Sequence, residues 1–215
     1  MNNQIVLKPW GKEYCCFHNK EVAIWVLEIK KGAATSLHCH PRKNTALIIL
    51  QGEIELSFIN DAYPHRFFGL DKVNIFRGRF HKTRAVSDGV VLLEVETPDD
   101  KRDIVRLEDD YGRASDPIEG ATLPLDKSCL QMTNNLISWH FADCELCIYT
   151  PTFIKAVEEP LAKARSNNHI FVTLSGGLEH GLVPPGDAID GATLSRFIKS
   201  FKPITGTTFL HIWKA

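Results

Sequence analysis

No apolar run in this sequence reaches the length that a membrane-spanning helix needs. The amino terminus, Met1-Asn2-Asn3-Gln4-Ile5, lacks the charged-then-apolar pattern of a secretory signal. An excess of one charge is missing too: 25 Lys and Arg against 26 Asp and Glu leave a net charge of −1. Nothing in that balance calls for a nucleic acid or an anionic membrane as partner, and the expected compartment is the cytoplasm. A second CxxC is also absent. The one present, Cys144-Glu145-Leu146-Cys147, lies in a strand-like run rather than in a redox turn or a zinc site. The six cysteines are therefore expected to be free thiols that behave as small buried hydrophobes.

What is present is β-sheet patterning over a composition that is 44% hydrophobic, enough for a sizeable core. From Ile5 to Glu96, short β-branched or aromatic runs such as Val22–Ile29, Glu53–Ile59 and Val90–Val95 alternate with Gly, Asn and Asp turns. The charged stretch from Thr97 to Gly120 reads as an exit segment or linker. Beyond it the pattern returns more loosely, in Leu136–Phe141 and Glu145–Tyr149, with room for a short helix or edge insertion over Phe153–Arg165 that Pro160 would break. His169–Gly177 resembles Thr45–Glu53, and Pro184–Gly191 takes the place of Gly69–Ile75. This weak internal repeat predicts two β units in tandem. Gly52, Gly69 and Gly78 are expected to supply positive φ or room at turns, and Asp190-Gly191 to make a turn. Trp10 is expected to staple the first strand, with Trp25, Trp139 and Trp213 in the core.

Three histidines carry the chemistry. His38-Cys39-His40 stands before the apolar run Ala46–Leu50, and His81 opens a later strand-like run. Residues two apart in a strand share a face, so the HxH pair can aim both imidazoles at one point. A third histidine from another strand then completes a facial set with open positions, which suits iron, zinc, nickel or copper. His18, His65, His140, His169, His180 and His211 show no such spacing. Cationic residues gather nearby: Arg42 and Lys43 after the HxH, Arg77, Arg79, Lys82 and Arg84 around His81, and Arg106 further on. Arginine forks match carboxylates and phosphates. Arg42, Lys43, Arg79 and Arg106 are therefore candidate anion- or substrate-binding residues. Glu53 and Glu55 share a strand face and read as its polar side.

Gly32-x5-His38-x-His40, Gly52, Gly69 and Gly78-x2-His81 resemble the two motifs of the cupin superfamily. Lys8-Pro9-Trp10-Gly11 and Asp103-Ile104-Val105-Arg106-Leu107-Glu108-Asp109-Asp110-Tyr111-Gly112-Arg113 look like the ends of the cupin domain in type II mannose-6-phosphate isomerases. The resemblance covers residues 8–113 and implies an all-β fold. The expectation is two tandem cupin-like double-stranded β-helix (jelly-roll) barrels: a metal-binding one over 1–113 and a degenerate one over 114–215. It implies one divalent transition metal (zinc, iron, manganese or nickel) held by His38, His40 and His81, and a homodimer.

The chain departs from the family pattern where a glutamate usually follows the second histidine, since Asn44 and Thr45 stand there. Phe76-Arg77 replaces the usual proline before Gly78, and Ala85 replaces a common asparagine. Losing the carboxylate leaves the site one charge more positive, which favours an anionic ligand. It also removes an obvious base, leaving a group such as Glu94, or a metal-bound hydroxide, to move protons. The expected function is a metal-binding cupin that acts on a sugar phosphate or related carbohydrate, isomerase- or epimerase-like. The alternatives are a three-histidine iron dioxygenase and a non-catalytic carbohydrate-binding cupin.

Overall fold

The computed structural model describes residues 4–112, 120–133, 138–152 and 169–214. The first unit contains β1 (Gln4–Lys8), β2 (Gly11–His18), β3 (Ala23–Ile29), β4 (Leu37–Cys39), β5 (Asn44–Gln51), β6 (Glu53–Phe58), β7 (His65–Phe68), β8 (Lys72–Ile75), β9 (His81–Ala85), β10 (Val90–Thr97), β11 (Val105–Glu108) and β12 (Thr122–Pro124). They form two antiparallel sheets, of order β12-β1-β2-β3-β10-β5-β8 and β11-β4-β9-β6-β7. Within them, eight strands in the orders 3-10-5-8 and 4-9-6-7 make a jelly roll, in which the chain passes back and forth between two sheets except at the β6–β7 hairpin.

Periodicity explains how this barrel is filled. In β6, Ile54, Leu56 and Phe58 are buried while Glu53, Glu55 and Ser57 are partly exposed, the alternation of a sheet with one wet face. Arg66 donates to both Glu53 and Glu55 across the strand pair, so these carboxylates are a surface feature. The larger sheet is apolar on both faces. Trp25, Leu27, Leu47, Ile49 and Leu92 fill the barrel interior, whereas Ile24, Val26, Ala46, Ile48, Leu93 and Val95 point outward into a second core. That is why Ala46–Leu50 reads as a continuous apolar run.

The outward face is covered by the second half. There β13 (Ser138–Phe141), β14 (Cys144–Tyr149), β15 (His169–Ser175), β16 (Ala188–Asp190) and β17 (Thr208–Lys214) form one five-stranded antiparallel sheet of order β13-β14-β17-β15-β16. Leu146, Ile148, Ile170, Val172, Leu210 and Ile212 pack from it into the same core as Ile24 and Ile48. Polar ties cross the junction: Asn74 exchanges two hydrogen bonds with the backbone of Ala188, and Glu21 accepts from Ser175 and Gly176. The segment leading into the second half also lies along the first, with β12 on β1 and the Met132 N–H bonded to the Cys16 carbonyl.

Local chemistry corrects several expectations. Asp190-Gly191 does not make a simple turn: Asp190 caps a helix, α1 (Gly191–Ser200), its carboxylate accepting from the Thr193 N–H at 2.8 Å and the Thr193 hydroxyl at 2.9 Å. The capping signal was readable, but the sheet-like surroundings masked it. Asp190→Ala should lower stability by about 1 kcal/mol, read from the midpoint of urea unfolding. Gly52 and Gly78 do adopt positive φ, but beside Gly69 the left-handed residue is Leu70. Trp10 and Trp25 are buried, whereas Trp139 and Trp213 are only half-buried. All six cysteines are free, four of them buried. The possible helix over Phe153–Arg165 lies outside the described residues except for its surroundings. Among the described residues, no helix is long and apolar enough to cross a membrane.

Candidate metal centre

The pairing of β4 with β9 sets His38 directly opposite His81, and His40 follows at the end of β4. Their ring centroids are 4.5–5.6 Å apart, and each ring is buried. One ligand nitrogen from each lies within 4.8 Å of the others. The HxH spacing and the third histidine therefore converge as the strand geometry requires.

Each imidazole is held from behind. Nδ1 of His38 lies 2.8 Å from the Ser36 carbonyl, that of His40 2.6 Å from the Asp103 carbonyl, and that of His81 2.9 Å from the Arg79 carbonyl. A carbonyl only accepts, so Nδ1 carries the proton and Nε2 presents a lone pair, the arrangement that orients ligating histidines. His40 Nε2 is buried with no hydrogen-bond partner. Burial, reinforced by neighbouring His81 and His40, holds the His38 pKa well below its ordinary value. Burial and Lys43 bring His40 down to about 4, and burial lowers His81. All three rings are thus neutral at physiological pH and ready to bind a cation.

The segment after β10 supplies the support. Asp103 is buried, and its carboxylate accepts from the N–H groups of Arg42 and Lys43, both at 2.9 Å, and from Arg42 Nε at 3.1 Å. Burial works against that charge, but these donors hold the Asp103 carboxyl below the usual range. Asp103 thus ties the turn after the HxH to the same backbone that orients His40. β11 then runs beside β4 and places Arg106 opposite His38. The Asp103–Gly112 motif therefore has a local physical purpose around the histidines.

A cavity opens beside the histidines, enclosing about 570 Å³ of empty space, including its mouth to solvent. Of the candidate anion-binding residues, Lys43 and Arg106 line it with His38 and His40. Arg42 does not: it turns to Asp100 and Asp103. Arg79 also points elsewhere, stacked 3.5 Å over the Phe58 ring and 3.6 Å from Asp61.

The wall also carries Lys8, Glu13, Glu94, Glu96 and Lys101, most of which sequence reasoning missed. Lys43 is 2.7 Å from Glu96, Lys101 is 3.2 Å from Glu96, and Lys8 is 3.3 Å from Glu13. A signal was available for two of these residues. Leu92, Glu94 and Glu96 share one face of β10, so the strand runs from apolar to acidic along the barrel interior. Glu13 and Lys101 come from distant segments and had no such signal.

No family model and no curated protein matches the sequence. Solved structures with similar coordinates include KdgF from Halomonas sp., at 16% identity and TM-score 0.42 over 45% of this chain and 87% of that one. An uncharacterized conserved protein with a double-stranded β-helix domain from Klebsiella pneumoniae is 14% identical, with TM-score 0.41 over 51% of this chain and 89% of that one. A sugar phosphate isomerase of the cupin superfamily from Silicibacter pomeroyi is 20% identical, with TM-score 0.34 over 37% of this chain and 52% of that one. Strand order within this chain defines its architecture: the N-terminal half is a double-stranded β-helix, or jelly roll.

Proposed function

We propose that the N-terminal barrel binds one divalent transition metal through His38, His40 and His81 and acts on a sugar phosphate or related carbohydrate. The observation that carries this reading is the convergence of three neutral, back-bonded imidazoles, two of which, His38 and His40, line a polar cavity. The donor set fits such an ion, because three imidazoles with open positions match zinc or iron(II). When bound, the metal would supply Lewis acidity to a substrate oxygen. Lys43 and Arg106 add positive charge to the cavity wall, and the carboxylates among the lysines can accept sugar hydroxyls.

Elemental analysis of untagged protein tests the site. The expected result is close to one equivalent of metal, lost in His40→Ala while the fold is kept. Isomerisation of hexose phosphates without oxygen is the expected activity. Absence of metal after reconstitution with zinc, iron, manganese and nickel would sink the proposal. A second reading, a three-histidine iron dioxygenase, is favoured by one observation: among the described residues the ligand group contains histidines alone. Iron-dependent oxygen uptake would select it.

A further inference from the structure

Among the charged groups of the cavity, Glu94 stands apart. Glu13 has Lys8, and Glu96 has Lys43 and Lys101. Among the described residues, Glu94 has no ion-pair or hydrogen-bond partner, yet it is only 9% exposed and lines the cavity with His38 and His40. Its place follows from register: on β10 it lies between Trp25 of β3 and Leu47 of β5, where the interior changes from apolar to polar. A buried carboxyl without a partner costs free energy unless it is neutral or used.

We propose that Glu94 is the catalytic acid–base of this cavity, moving a proton between adjacent carbons of a small α-hydroxy aldehyde or ketone. The proposal rests on the carbohydrate reading above and assigns to it a residue and a substrate class. The Glu94 carboxylate takes the proton from the hydroxyl-bearing carbon. The C–H electron pair becomes a C–C π bond, and the carbonyl π pair moves to its oxygen. The Glu94 carboxyl then returns the proton to the neighbouring carbon, while the hydroxyl proton passes from one oxygen to the other. One carbon is oxidised and its neighbour reduced by the same electron pair, so no outside oxidant or reductant is consumed.

The surroundings suit a group that works in both directions. Burial first, and then the negative charge of Glu96, raise the Glu94 pKa to about 7; Lys101 and Lys43 pull it down, and Glu13 pushes it up. Both forms are therefore populated near neutrality, the condition under which one carboxyl can take and return a proton efficiently. Glu13 and Glu96 differ in that each is held as an ion pair through one carboxylate oxygen, Glu13 by Lys8 and Glu96 by Lys43 and Lys101.

The test follows deuterium from D2O into fructose 6-phosphate with zinc-loaded protein, using proton NMR, alongside infrared titration of the carboxyl groups. The wild type is expected to exchange. Glu94→Gln is expected to exchange at least about 100-fold more slowly with unchanged metal content. Glu94→Asp should recover part of the rate, and it serves as the second variant if Glu94→Gln folds poorly. A protonated-carboxyl band that titrates near pH 7 in the wild type should be missing from Glu94→Gln.

Exchange by Glu94→Gln within threefold of wild type, or no such band, overturns the assignment and leaves the carbohydrate reading standing. A fully metallated wild type that exchanges neither fructose 6-phosphate nor free fructose overturns that reading, and with it the substrate class proposed here.

Discussion

Lys43→Met should lower the free energy of unfolding by about 3 kcal/mol, the scale expected when one partner of a buried ion pair is removed. Lys43 and Glu96 are each 2% exposed at the side chain, and their charged atoms are 2.7 Å apart. Met nearly matches the aliphatic length of Lys, so the loss is electrostatic rather than a cavity. What remains is a buried carboxylate whose Oε1 keeps only Lys101, at 3.2 Å, and whose Oε2 has no hydrogen-bond partner. Adding Glu96→Leu to Lys43→Met removes the orphaned charge and should recover most of the loss, since the two sites share one interaction. Urea unfolding of the four proteins in this cycle measures the coupling. A Lys43→Met midpoint equal to that of wild type would show that Lys101 alone suffices.

The second large effect depends on pH. Glu94 is raised to about 7 by burial and by Glu96, whereas in the unfolded chain its carboxyl returns to the ordinary value near 4.5. Between these values the native state holds a proton that the unfolded state releases, so stability falls as pH rises. The contribution is complete below the unfolded value and is lost by the time the pH has passed the folded value. The shift is equivalent to about 3 kcal/mol. Glu94→Gln cannot ionise, so it should match the wild type near pH 5 and exceed it at pH 8. That excess corresponds to roughly 5–10 °C in Tm. Glu96, held below its ordinary value by Lys101 and Lys43 against the cost of burial, slopes the other way, but it is present in both proteins. Calorimetry at both pH values checks the difference. Equal Tm values at pH 8 would place the Glu94 titration in the ordinary carboxylate range.

The parts of the site that were legible in the sequence are those set by local geometry. His38 and His40 are two apart in an extended segment, and His81 lies opposite His38 on the neighbouring strand, so the triad followed from strand periodicity plus one cross-strand contact. The positive residues were harder to place. Their types suit anion recognition, but a side chain's partner is set by distant chain. Asp103, reached through the segment after β10, turns Arg42 away from the cavity, and the Phe58 ring takes the Arg79 guanidinium. The buried lysine–glutamate network assembles residues from β1, β2, the turn before β5, β10 and the segment beyond it, and no short spacing announces it. Helix α1 was missed for a different reason: its cap was visible, but its short amphipathic run lies between strands that dominate the pattern.

The seven-stranded sheet that is apolar on both faces has a consequence for how such a protein can diversify. The barrel that houses the histidines takes its outer wall from the chain that follows it, through Leu146, Ile170, Val172, Leu210 and Ile212. It is therefore not a self-contained cassette. Transplanted alone into another polypeptide, residues 4–112 would carry an uncovered apolar face of the kind that drives aggregation. Recombination between the halves would be tolerated only where the new neighbour reproduced that wall, so the two halves are bound to change together.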